Sequence, residues 1–314
     1  MKILITGSTG LVGTALTKAL SQQGHTVCRL IRPATQVPEH AASGFDVSWN
    51  PETGELGGAA VGADAVVNLS GASIAGRRWT AGYKEVLCSS RIRTTRALVK
   101  ALEKMSARPA LLISASAVGF YGNRGDEILT EESPSGNDFL AELAKEWEGE
   151  ARKAEALGTR VVLARFGLIL AGSGGALPMM MRAFRFGAGG RVASGRQWVS
   201  WISLPDVVGV LLRCLRSTPI TGDVKFAPIT GPVNLVSPEP VTNAQFSREL
   251  AQAMHRPALL PAPAFALRLA LGEMADALLL ASQRALPKKL LESGYSFEHP
   301  SLRSALEAAI QAAR

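Results

Sequence analysis

Residues 2–13 read Lys-Ile-Leu-Ile-Thr-Gly-Ser-Thr-Gly-Leu-Val-Gly, from Lys2 to Gly13. Ile3 to Thr6 is a short apolar run that stops at Gly7, as a strand does when it meets a sharp turn. From Leu11 onward, Val12, Ala15, Leu16, Ala19 and Leu20 recur at helical spacing until Gly24 ends the pattern. Val27 to Ile31 is a second strand. A strand, a helix and a strand within about thirty residues require a right-handed crossover and a parallel pair.

The alternation continues outward. Phe45 to Trp49 reads as a third strand, and Ala65 to Leu69 as one buried on both faces. Ile92 to Met105 reads as a helix and Ala110 to Ser114 as a strand. Glycines 119, 122 and 125 mark a loop, Asp138 to Leu157 a helix and Arg160 to Leu170 a strand. The pattern predicts an α/β chain built on a Rossmann-type doubly wound parallel sheet, with a smaller mixed C-terminal substrate lobe. Residues 1–170 form the nucleotide-binding domain, and 196–235 return to it. Residues 171–195 and 236–314 form the lobe.

Within the lobe, the stretch 172–196 is rich in glycine and carries Arg182, Arg185, Arg191 and Arg196, which suits a hinged lid over an anionic substrate. Met179 to Met181 read as packing. Asp206 to Leu215 and the amphipathic tail from Ser301 to Ala313 read as helices, and Thr242 with Gln245 as a capping box.

The glycines of the opening motif have separate tasks. Gly7 permits the turn, Gly10 lets backbone approach a pyrophosphate, and Gly13 lets the helix pack on the sheet. Ser8, Thr9, Leu11 and Val12 complete the loop, and the helix N-terminus directs free amides at phosphate. An acidic residue at the end of the second strand would grip a ribose 2′-hydroxyl. Ile31-Arg32-Pro33 stands there instead, with no Asp or Glu before Glu39. Arg32 can pair with a 2′-phosphate, so the expected cofactor is NADP in preference to NAD.

Bulk properties narrow the function classes. The 314 residues are 47% hydrophobic and 19% charged, the composition of a globular body. The net charge of +8 comes from scattered Arg and Lys residues, and aromatics make up only 6% without alternating with them, so no nucleic-acid platform is expected. Cys28, Cys88 and Cys214 are far apart, which fits a reducing compartment, and His25, His40, His255 and His299 lack metal-ligand spacing. The apolar stretch from Pro257 to Gly272 holds three prolines and Arg268, and cannot span a bilayer. A cytoplasmic protein without a membrane partner or a metal is expected, with a small-molecule substrate and an oligomeric state left open.

The glycine loop, Asn68-Leu69-Ser70-Gly71, and Ser114-Ala115-Ser116 followed by Tyr121-Gly122 together resemble an extended short-chain dehydrogenase/reductase. More narrowly, Asn68 to Trp79, Ser90-Arg91, Asp138 to Glu148 and Trp201-Ile202 resemble the atypical SDR39U1/YfcH-type branch of the NAD-dependent epimerase/dehydratase family. Leu286 to Ile310 resembles its small C-terminal DUF1731-like domain. The resemblance implies that Asn68, Leu69, Ser70 and Gly71 border the adenosine ribose and pyrophosphate. It also puts Arg91 near the cofactor.

In that family a Ser orients the substrate oxygen, a Tyr exchanges the proton, and a Lys four residues later lowers the phenol's pKa. Ser116 fits the first role, ahead of Ser114. The family's spacing reaches the 138–148 helix, where the i, i+4 pair is Ala141 and Lys145: the Lys is present and the Tyr is absent. None of Tyr83, Tyr121 and Tyr295 has a Lys four residues on. Two readings follow. The chain is an oxidoreductase or epimerase using Ser116, Lys145 and another proton donor, Tyr121 ahead of Glu142, on an anionic or sugar-nucleotide substrate. Otherwise it is a non-catalytic NADP(H)-binding sensor or structural partner.

Overall fold

The structure is a computed structural model and describes residues 1–32, 45–216, 227–258 and 260–313. Pro33, Glu39 and His40 lie outside the described residues. The strands are β1 (Lys2–Thr6), β2 (Thr26–Ile31), β3 (Phe45–Asn50), β4 (Glu55–Leu56), β5 (Ala65–Asn68), β6 (Leu111–Ala117) and β7 (Ile128–Leu129). They continue with β8 (Arg160–Phe166), β9 (Leu168–Leu170), β10 (Trp198–Val199), β11 (Trp201–Ser203), β12 (Gly231–Leu235), β13 (Val241–Thr242) and β14 (Arg284–Ala285). The main helices are α1 (Leu11–Gln22), α2 (Ala81–Cys88), α3 (Thr94–Glu103), α4 (Phe139–Arg152), α5 (Leu177–Arg185) and α6 (Leu204–Arg216). The C-terminal ones are α7 (Asn243–Ala253), α8 (Ala264–Leu271), α9 (Glu273–Ala275), α10 (Lys288–Glu292) and α11 (Leu302–Gln311).

Eight strands form one sheet in the order β12-β8-β6-β5-β1-β2-β3-β4. All its pairings are parallel except the edge pair β3–β4. The order reverses at β1, between β2 and β5, so a crevice opens at the carboxyl end of β1. Successive residues of one strand serve opposite faces. Ile3, Ile5, Val67 and Ile113 pack toward α1 and α6, with Leu16, Leu20, Val207 and Leu211. Leu4, Val66, Leu112 and Leu163 pack toward α3 and α4, with Leu98, Leu102 and Ala151. Burial on both faces is why these strands read as continuous apolar runs.

The expected strand over 160–170 is broken. A Cβ on Gly167 would stand 2.6 Å from the Ser200 carbonyl oxygen, so the chain leaves the main sheet there and β9 pairs with β11. The helix expected from Ile92 starts earlier, at Ala81, where the Thr80 hydroxyl accepts the Tyr83 amide. It carries a π-helical turn at Ser89–Arg93 before α3. Asp138 caps α4 by accepting the Ala141 amide at 2.9 Å. Thr242 accepts the Gln245 amide at 3.3 Å at the start of α7.

The C-terminal segments have a core of their own, formed by Leu177, Met181, Phe184, Trp201, Phe246, Leu250, Leu306 and Ile310. Met181 is buried there, whereas Met179 is exposed. Asp206 ties this part to the sheet: it accepts from the Ser203 hydroxyl and from the Glu298 and His299 amides. Among the described residues no helix is long and apolar enough to cross a membrane.

Candidate functional site

At the carboxyl end of β1 the backbone turns through Gly7 at φ +65°, and the Gly10 amide donates to the Gly7 carbonyl at 3.0 Å. A Cβ on Gly7 would meet the Leu69 carbonyl oxygen at 2.5 Å, and one on Gly13 the Gly7 carbonyl oxygen at 2.2 Å. Both positions are closed to any other residue by backbone, which cannot move aside cheaply. Gly10 differs, since its nearest neighbour would be the Gly7 carbonyl oxygen at 3.3 Å and it lies on the exposed side of the loop. No side chain caps α1 at Gly10. The first-turn amides at Leu11, Val12 and Gly13, with the positive end of the helix dipole, are therefore presented to an anion beside Gly10. Ser8 is buried beneath the turn and Thr9 is exposed at its tip. A Cβ on Gly174 or on Gly175 would stand 3.3 Å from the Leu11 side chain, so this glycine-rich stretch lies beside the same loop.

The second wall is held from beneath. Asn68 is fully buried; its carbonyl accepts from the Thr6 hydroxyl at 2.7 Å, and its amide donates to Thr95 at 2.8 Å and Ser114 at 3.3 Å. Asn68 thus positions Leu69, Ser70 and Gly71 beside Gly7 without itself reaching the crevice. Arg91 acts in the same way. Its guanidinium donates to the Ala72 carbonyl at 2.9 Å and the Leu87 carbonyl at 3.3 Å, stands over Trp147, and presses against the open side of Gly71. Burial lowers its pKa. Arg32 is exposed at the end of β2 and has no ion-pair partner among the described residues.

The three residues expected to carry chemistry do not converge. The Ser116 hydroxyl is buried and donates to Glu148 at 2.7 Å. Glu148 is clamped by Arg165 through two hydrogen bonds, 2.7 Å from Nε and 2.8 Å from Nη2. Arg165 Nη1 also donates to the Tyr121 hydroxyl at 3.0 Å, and Tyr121 in turn donates to Asn234 at 2.6 Å. Tyr121 is fully buried, and burial raises the pKa of its phenol despite Arg165. The expectation that Tyr121 hands a proton to a substrate does not fit this conformation: its proton is committed to Asn234 and no solvent reaches it. Lys145 lies on the outer face of α4, 58% exposed and 3.8 Å from Glu142, apart from Ser116 and Tyr121.

Glu148, Arg165, Asn234 and Glu131 complete this network and were missed by the sequence reading. Glu131 is buried, accepts from the Asn234 and Lys289 amides, and its carboxyl is pushed above the usual carboxylate range by burial. A signal existed for two of them. Arg165 interrupts an apolar strand, and Glu148 follows Trp147 on the face of α4 that also carries Ala144 and Ala151.

The chain matches the family model described as the NAD dependent epimerase/dehydratase family over residues 3–224, and a domain of unknown function, DUF1731, over residues 262–309. It is 44% identical over 305 residues to the epimerase family protein Mb2239 of Mycobacterium bovis, covering 97% of this chain and 96% of that one. It is 41% identical to the epimerase family protein YfhF of Bacillus subtilis, covering 98% and 97%. Among solved structures, that of the human epimerase family protein SDR39U1 (isoform 2) with NADPH is similar with a TM-score of 0.86 at 31% identity, covering 99% of both chains. Matched over most of its length by that family model and similar over its whole length to these relatives, the chain belongs to the NAD dependent epimerase/dehydratase family, in its SDR39U1-type branch with a C-terminal DUF1731 domain.

Proposed function

We propose that the chain binds NADP(H) in the crevice at the end of β1 and works in the cytoplasm as an atypical oxidoreductase or epimerase on a small anionic or sugar-nucleotide substrate. The observation that carries the reading is the uncapped N-terminus of α1 behind Gly7 and Gly10, flanked by Leu69 to Gly71. These residues fit a dinucleotide: the amides at Leu11 to Gly13 would hold the pyrophosphate, Ser70 and Gly71 would border the adenosine ribose, and Arg32 would pair with a 2′-phosphate. The NADPH in the structure of human SDR39U1 supports the same choice. When bound, the nicotinamide supplies or accepts a hydride. In this reading Ser116 is the hydroxyl that orients the substrate oxygen. Glu148 and Arg165 fix it, and Tyr121 is a positioning residue that holds Arg165. Lys145 has no part.

Calorimetric titration with NADPH and NADH tests the cofactor. Arg32→Ala should weaken NADPH by about tenfold, the size of one exposed charge-assisted contact, and leave NADH unchanged. An unchanged NADPH:NADH ratio overturns the assignment. The buried phenol and committed Ser116 proton favour a second reading, a non-catalytic NADP(H)-binding sensor. Assays of NADPH oxidation against carbonyl and sugar-nucleotide substrates separate the two. Turnover lost by about a hundredfold in Ser116→Ala and kept in Lys145→Ala supports the enzyme. NADPH that raises the melting temperature without any turnover supports the sensor.

A further inference from the structure

We propose that α5 and α8 form a docking surface for an anionic lipid membrane, on which the protein rests without crossing it. Five of the ten large apolar side chains left exposed among the described residues lie on or beside these two helices: Met179 at 68%, Phe186 at 77%, Leu260 at 60%, Phe265 at 74% and Leu269 at 79%. No residue of α8 is buried, although seven of its eight residues are apolar. The two segments are stitched together. Val192 bridges to Ala262, the Ala193 amide donates to the Ala262 carbonyl at 2.8 Å, the Ala262 amide donates to the Arg191 carbonyl at 2.9 Å, and Gly190 abuts the Leu260 backbone. The outward positions repeat one chemistry. Met179, Arg182 and Phe186 share a face of α5 and its end, at spacings of three and four, while Phe265, Arg268 and Leu269 share a face of α8.

Charge decides which partner fits. Residues 172–196 hold four arginines and no acid, and residues 254–272 hold His255, Arg256, Arg268 and no acid. Arginines that look scattered along the sequence, and suggested no membrane partner there, fall in the two stretches of chain that the Val192–Ala262 bridge joins. Arg268 has a surface partner in Asp276, and Arg182 stands beside the Phe186 ring, both well exposed. A second copy of the chain docked through a twofold contact would oppose these guanidiniums with their own equivalents, which like-charge repulsion disfavours. Protruding Phe, Leu and Met among arginines match the interfacial region of a bilayer, where rings enter the acyl boundary and guanidiniums stay with phosphate. Pro257, Pro261 and Pro263 and the shortness of α8 keep the segment at the surface, consistent with the lack of a spanning helix among the described residues.

Flotation of the full chain with vesicles tests the proposal. It should float with equimolar phosphatidylcholine and phosphatidylglycerol, float far less with phosphatidylcholine alone, and be released as salt rises. The pair Phe186→Ser with Phe265→Ser should lower the floated fraction at limiting lipid by about tenfold or more. The pair Arg182→Gln with Arg185→Gln should abolish the preference for anionic vesicles. Both pairs should keep the rise in melting temperature on NADPH addition. No flotation of the unmodified chain on anionic vesicles, equal flotation on neutral ones, or variants that float undiminished would overturn the proposal. So would a dimer, seen by light scattering, that the Phe pair dissociates in a chain that does not float.

Discussion

Replacing Glu148 by Gln removes one charge from the buried centre of the network and leaves its shape intact. Glu148 and Arg165 are only 4% and 3% exposed, so the guanidinium left behind has no water to turn to. Breaking a buried pair by removing one partner costs about 3–5 kcal/mol, because the other charge stays desolvated. Gln can still accept from Ser116 and from one Arg165 nitrogen, which puts the expected loss near the lower end, at about 3 kcal/mol. For a chain of 314 residues that is a fall in melting temperature of about 4–6 °C. Burial works against the charge on Arg165, while its contacts with Glu148 and Tyr121 outweigh burial and raise its pKa in the intact network. A guanidinium keeps its proton without such help, so the variant carries the stranded charge.

Thermal melts in the presence and absence of NADPH measure the effect. Midpoints are the right quantity, because a chain with a second lobe need not unfold in two states. The double variant Glu148→Gln with Arg165→Met is the control. It removes the stranded charge while keeping a side chain over the Phe120 ring, now 3.5 Å from the Arg165 guanidinium carbon. It should melt above the Glu148→Gln single variant, giving a coupling of about 1–3 kcal/mol. A single variant within about 2 °C of the parent, or a double variant whose loss equals the sum of the singles, would refute the account of a mutually dependent buried pair.

Two other variants probe neighbouring features. Gly13→Ala puts a methyl 2.2 Å from the Gly7 carbonyl oxygen and 2.7 Å from the Ser8 Cα; it should cost about 1–3 kcal/mol in thermal melts and abolish the NADPH-induced shift, because the loop itself must move. Glu131→Gln addresses pH. Burial raises the Glu131 pKa in the folded protein, so its favourable contribution is complete below the ordinary carboxylate range and is lost as pH rises through the raised folded value. The Gln variant should therefore melt higher than the parent at neutral pH, with the gap closing as pH falls toward that ordinary range. A gap that widens on acidification would mean that the carboxylate is the favoured buried form.

The sheet was legible because its physics is local. Ile3 to Thr6, Ala65 to Leu69 and Ala110 to Ser114 are apolar except for Thr6, Asn68 and Ser114 near their carboxyl ends, and such near-continuous runs belong to strands covered on both faces. The short strands of the lobe were not legible. Trp198-Val199 finds its partner at Val241-Thr242, and Arg284-Ala285 at Ile128-Leu129. Two-residue pairings between distant segments leave no period in either one. The break at Gly167 was equally hidden, since the obstacle is the Ser200 carbonyl, thirty-three positions away in the chain.

The same distinction divides the site. The glycine loop after β1 is a backbone device, and its requirements fall on glycines a few residues apart, so Gly7, Gly10 and Gly13 announce it. Asn68 and Arg91 hold up the wall formed by Leu69 to Gly71, a task that the sequence does not distinguish from lining the crevice, because a residue beside a crevice and a residue beneath its wall have the same sequence neighbourhood. The polar network is a side-chain device joining β6, β8, α4 and β12. Sequence spacing tested one arrangement, Tyr with Lys four residues on, and found it missing; it could not reveal what had taken the space. The structure shows that α4 turns Ala141 and Glu148 inward and Lys145 outward. Glu148 is the one charged side chain in α4 that meets Ser116, and its charge is already balanced by Arg165. Any proton that Ser116 exchanges with a substrate must therefore be drawn from a pair whose separation is costly. Slow turnover, with Ser116 and Glu148 failing together when either is replaced, is the kinetic behaviour that this arrangement demands of an enzyme.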